Sequence, residues 1–97
     1  RQEALRRADA VRAAADFVER QLSDAEQEVV ALVVCEGLTD SEVAARTYRS
    51  PKTVGHHLST AYRKARDHYR LARADRHTLM ALLSTYYALD GTTGGRP

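Results

Sequence analysis

Apolar residues along this chain return at three- and four-residue steps and nowhere sustain an alternating pattern, which predicts helices and no sheet. Over residues 2–21 the stripe is Ala4, Ala8, Val11, Ala15 and Val18, continuing to Leu22, with Leu5 and Phe17 on its flanks. It is narrow and rich in alanine, closer to a coiled-coil seam or a docking helix than to a thick core face. Two roles stay open for residues 1–21: packing back on their own domain, or acting as a linker or dimerisation helix.

The next three helices announce their starts. Ser23 and Glu26 have capping-box spacing, with Val29, Val30, Leu32 and Val33 as the buried face that follows. Gly37 is placed to end that helix in the left-handed conformation. Thr39 and Glu42 repeat the box and open a short helix to about Thr47, with the small Ala44 letting a neighbour approach. Ser50 caps a further helix and Pro51 takes its first position, where a missing amide costs nothing.

From Pro51 no breaker occurs before Ala74, and Val54, Leu58 and Ala61 point to the core at i, i+4 and i+7. Gly55, His56, Ser59, Arg63 and Arg66 fall on other, more exposed sectors. A last helix begins near Asp75, with Leu79, Leu82, Leu83, Tyr86 and Leu89 as its apolar stripe. Residues 91–97 cannot bury themselves and are expected to be disordered. The fold class expected is all-α: a tetrahelical helix-turn-helix domain over residues 22–90, preceded by a long N-terminal helix.

Ninety-seven residues make one domain, and the overall charge of +2 says little. Its distribution says more. Residues 1–45 carry five arginines against ten acids, whereas residues 46–76 carry nine bases against Asp67 and Asp75. An acidic first half and a basic second half suit a chain that lays one element against a polyanion. Cys35 stands alone, so a disulfide framework or Cys-based metal site is excluded, and its apolar neighbours predict a small core residue. No apolar run reaches membrane-spanning length and no signal-peptide core is present, so a cytoplasmic protein with no membrane partner is expected. The chain starts at Arg1 rather than Met, as an excerpt of a longer protein would. His56 and His57 diverge by about 100° on a helix, and no Cys or carboxylate lies one turn away, so no metal site is expected there. No Gly-rich phosphate loop or nucleophile–base pairing suggests an enzyme, and no cofactor is implied.

Leu22-Ser23, Glu26, Val29-Val30, Leu32, Gly37, Glu42-Val43-Ala44, Ser50, Thr53-Val54, His57-Leu58 and Tyr62-Arg63-Lys64 together form a pattern. It resembles the LuxR/FixJ-type, or GerE-type, DNA-binding domain of bacterial transcription regulators, across residues 22–64 and more loosely to about residue 85. The resemblance implies a sequence-specific regulator of transcription that binds double-stranded DNA. Its third helix, residues 51–66 here, would lie in the major groove, and its fourth would pair two copies into a homodimer. The base-facing positions would be Gly55, His56 and Ser59, joined by Lys52 and Thr60. Phosphate contacts would come from His57, Arg63, Lys64 and Arg66, from Ser50 and Thr53 at the start of the recognition helix, and from Thr39 and Ser41 at the helix before it. Arg70 and Arg73 extend the same basic run. The pairing surface would be Leu79, Leu82, Leu83 and Tyr86.

Three departures bear on what is carried over. Gly55 replaces a base-reading lysine, leaving a weaker set to choose sequence. Thr47 and Arg49 stand where the family has apolar core residues, and Tyr48 is expected to turn inward instead. The run from Ala65 to Arg73 replaces a short turn, so the third helix is expected to extend. A sigma-factor region 4, which acts with RNA polymerase, shares the helix pair and the basic run. A helix-turn-helix repurposed for protein–protein interaction is the other alternative.

Overall fold

A computed structural model describes residues 1–90, and among these residues every regular element is a helix. The helices are α1 (Gln2–Asp16), continued by a π-helical turn (Phe17–Gln21), then α2 (Asp24–Glu36), α3 (Asp40–Thr47), α4 (Pro51–Tyr69) and α5 (Arg76–Asp90). The expected tail, residues 91–97, lies outside the described residues.

Local chemistry accounts for where the helices start and stop. Ser23 Oγ accepts from the Glu26 amide at 3.2 Å while Glu26 Oε1 accepts from the Ser23 amide at 3.0 Å. Thr39 and Glu42 reproduce the pair at 3.2 and 2.8 Å. Each box satisfies two amides that a helix start otherwise leaves without partners. Gly37 closes α2 at φ 64°, its amide donating to Val33 O at 3.0 Å. At the start of α4, Ser50 Oγ accepts from the Thr53 amide at 3.0 Å ahead of Pro51. Asp75 opens α5 by accepting from the Thr78 amide at 3.0 Å, and these bonds hold its carboxyl below the ordinary carboxylate range.

Two stops differ from the sequence expectation. The helix expected to continue toward Ala74 ends at Tyr69, with Arg70 in the left-handed region at φ 58° and the Leu71 amide returning to Arg66 O. Tyr48, expected to turn inward, terminates α3 at φ 57° with its ring fully in solvent, 97% exposed. The left-handed backbone points the side chain outward, and Arg49, half-buried, reaches Glu28 at 2.8 Å instead.

The core draws on every element. Phe17, Val18 and Leu22 enter from the π turn, Val29, Val30 and Val33 from α2, and Val43 and Ala44 from α3. Val54, Leu58, Ala61 and Ala65 line the inner face of α4, and Leu79, Leu83, Tyr86 and Tyr87 that of α5. Burying a ring such as Phe17 stabilises the fold by about 1.5–3 kcal/mol. It lies 5.4 Å from the His68 ring and 5.7 Å from the Tyr69 ring, tying the end of α1 to the end of α4.

The first helix divides into two halves. Its last turns pack on α5 with Ala14 buried and Val11 and Ala15 partly so, whereas residues 1–10 are all exposed. The buried face therefore runs through Ala14 and Phe17 and leaves out Ala4 and Ala8. Ala4 and Ala8 are left out because residues 1–10 pack against no other part of the fold. Cys35, expected in the core, is exposed at the end of α2. Leu79, Leu83 and Tyr86, expected at a dimer surface, are core residues of this chain, and Leu82 is half-buried against them. No helix among the described residues is long and apolar enough to cross a membrane.

Candidate nucleic-acid interface

Helix α4 has one face that the core cannot use. Val54, Leu58, Ala61 and Ala65 face inward, and the opposite side of the cylinder carries Lys52, His56, Ser59, Arg63 and Arg66 at i, i+4, i+7, i+11 and i+14. At 100° per residue these five fall within an arc of about 80°, and at 1.5 Å per residue they run along about 21 Å of helix. Lys52, His56, Ser59 and Arg63 are exposed and Arg66 is half-buried. Arg70 at the cap and Arg73 in the following loop are exposed and continue the charge past the helix end. Asp67, also exposed, is the one acid on the flank of this stripe.

Ion pairing decides which bases remain free. Four of the basic residues after position 45 meet acids from the first half of the chain. Arg46 reaches Glu36 at 3.2 Å, Arg49 reaches Glu28 at 2.8 Å, Lys64 reaches Glu26 at 2.7 Å and Arg76 reaches Asp40 at 2.9 Å. Arg76 also donates to Leu38 O at 2.6 Å, fastening the start of α3 to the start of α5. Among the described residues, Lys52, Arg63, Arg66, Arg70 and Arg73 have no such partner. Four acids of α2 and α3 thus neutralise bases elsewhere, and the remaining positive charge collects along one side of α4.

Lys64 departs most from its expected role. Its ammonium donates to Gln21 O at 2.9 Å as well as to Glu26, joining the π turn, the start of α2 and the middle of α4. Burial pushes the Glu26 carboxyl up, but the hydrogen bonds and charge of Lys64 with the Ser23 amide outweigh it and hold it below its ordinary value. Lys64 is a structural tie and is removed from the phosphate set. Nothing in the sequence pairs positions 26 and 64, since the contact exists only once α2 and α4 are packed.

The hydroxyl groups expected at phosphates are mostly engaged. Thr39 caps α3, and Ser50 Oγ donates to Thr53 Oγ1 at 2.9 Å while accepting from the Thr53 amide. Ser41 is exposed, but it shares the first turn of α3 with Asp40 and Glu42, whose charges oppose an anion. Gly55 and Thr60 sit half-exposed on either flank of the stripe, and His57 is half-buried beside Thr60. A Cβ at Gly55 would meet only Asp40 Oδ2, at 3.9 Å, so the position is open to larger side chains. The His56 and His57 rings stand 6.2 Å apart, and among the described residues no group of three metal-ligating side chains assembles. The residues expected to read bases therefore lie on or beside the surface that carries Arg63 and Arg66, while Thr39 and Lys64 serve the fold. Comparison of the chain with known protein families, curated proteins and solved structures finds no match.

Proposed function

We propose that this chain is a DNA-binding domain of the LuxR type, in which α3 and α4 act as a helix-turn-helix and α4 lies in the major groove. One observation carries this reading. The face of α4 turned away from the core is a continuous polar and basic stripe with Asp67 as its one flanking acid on that helix, and Glu26, Glu28, Glu36 and Asp40 of α2 and α3 are paired with other bases. A helix of this kind fits the width of the major groove. Lys52, His56 and Ser59 on the first turns are the base-edge candidates, whereas Arg63, Arg66 and Arg70 supply sequence-independent phosphate contacts. Without a long side chain at Gly55, sequence choice rests on Lys52, His56 and Ser59 alone and is correspondingly weak. Pairing of two copies through Leu79, Leu83 and Tyr86 is not part of the proposal, because those side chains fill the core.

Backbone amide shift mapping during titration with a short random-sequence duplex tests the assignment. Perturbations should gather at positions 52–66 and fade through α1 and α5. Perturbations centred on residues 1–10 or on α5 would instead favour an interaction module.

A further inference from the structure

The stripe on α4 contains one imidazole. His56 lies between Lys52 and Ser59 on the exposed arc, and His57 stands beside it with ring centroids 6.2 Å apart. Among the described residues no carboxylate lies within ion-pair distance of either ring. Most acids on the elements packed against α4 are otherwise engaged, whereas Asp24 on α2 and Asp67 on α4 itself are exposed with no ion pair among the described residues. Asp40 is held by Arg76, Glu42 returns to the Thr39 amide, and Glu26, Glu28 and Glu36 pair with Lys64, Arg49 and Arg46. Glu19 on the π turn accepts from Tyr86. Lys52 lies one turn before His56 on the same face and Arg63 two turns after it, while Asp40 Oδ2, held by Arg76, stands beside Gly55.

A polyanion laid along the stripe would bring negative charge to His56, which favours a protonated ring there. We infer that His56 binds a proton as the domain binds DNA, so that the protonated imidazole supplies the cationic donor that Gly55 lacks. This inference rests on the DNA-binding reading and concerns its regulation by pH. The imidazolium offers two donors and no acceptor, so it matches the acceptor edge of guanine, which a neutral ring with one donor and one acceptor matches less well. His57, half-buried and about 100° away around the helix, faces away from the middle of the stripe and is not the residue assigned this role.

The sign follows from linkage. A histidine pKa raised in the complex adds affinity below its free value, and that gain is lost as pH rises through the bound value. For any histidine whose pKa rises by about one unit from about 6.5 on binding, affinity is about sixfold tighter at pH 6 than at pH 8. The other two histidines lie off this surface: His68 is packed against Phe17 near Asp16, and His77 is on α5.

The test is fluorescence-anisotropy affinity for a random-sequence duplex from pH 6 to pH 8 at one fixed salt concentration. Wild type, His56→Gln, His57→Gln and His56→Lys are compared, with circular dichroism at each pH to confirm the fold. Wild type should tighten about sixfold on acidification, His56→Gln should be nearly flat, and His57→Gln should keep most of the change. His56→Lys should bind tightly at every pH. Binding that is retained but independent of pH would overturn the proton inference and leave the DNA reading standing. A pH dependence that survives in His56→Gln would overturn the assignment to this residue. Absence of binding at pH 6 and low salt would overturn both.

Discussion

Replacing Lys64 with Met removes the ammonium that three elements share and keeps most of the aliphatic stem. The Glu26 side chain it leaves behind is 9% exposed and loses its charge partner at 2.7 Å, while Gln21 O loses a donor at 2.9 Å. Breaking a fully buried ion pair on one side costs about 3–5 kcal/mol. Here Glu26 keeps the Ser23 amide at 3.0 Å, and the Lys64 side chain is 27% exposed, so solvent moderates the loss. A cost of about 2 kcal/mol at pH 7 follows. In a domain of this size that lowers Tm by about 8–16 °C. The pH dependence is diagnostic. Because its folded-state pKa is depressed, Glu26 contributes stability that is present above its unfolded value and is lost as pH falls through the folded one. The penalty of Lys64→Met should therefore shrink as the carboxyl protonates. Urea unfolding at pH 7 and near pH 3 measures it, with Glu26→Gln and the double variant closing a cycle that isolates the coupling. A loss below about 0.5 kcal/mol at pH 7, or an equal loss at both pH values, would refute the tie.

Other substitutions probe separate parts of the structure. Tyr48→Gly relieves a non-glycine residue at φ 57° whose ring buries almost nothing, and thermal melting should show stabilisation by about 0.5–1 kcal/mol. Destabilisation would mean that the ring packs in solution. Gly55→Lys places a cation beside the stripe where only Asp40 Oδ2 is near, and that carboxylate is already held by Arg76. It should tighten DNA binding; unchanged or weaker binding would mean that position 55 does not face DNA.

Much of this structure was legible because it is local. The two capping boxes, the left-handed Gly37 and the Ser50-Pro51 start each depend on residues within four positions, and all form where the pattern placed them. The inward face of α4 was equally readable, since Val54, Leu58 and Ala61 repeat at helical spacing. What escaped depends on packing between distant segments. Ala4 and Ala8 look as apolar as Ala14, but only Ala14 meets another helix. The stripe of α5 was seen correctly as apolar and misassigned to a second copy, because periodicity does not say which surface a stripe covers. Charge asymmetry was likewise read from totals, and the fold then paired four of the bases with acids of α2 and α3. The α4 stripe stands out against that background only after those pairs are removed.

The measurement that bears most directly on a DNA-docking α4 is the salt dependence of binding to a random-sequence duplex, read by fluorescence anisotropy for wild type and Arg63→Ala. Release of counterions from about four phosphates gives a slope of log Kobs against log salt of about −3 to −4. Arg63→Ala should weaken binding to all sequences alike and reduce the slope by about 1, whereas Lys64→Met should leave the slope unchanged. No binding at low salt, or the same slope in Arg63→Ala and wild type, would contradict the placement of DNA along this stripe.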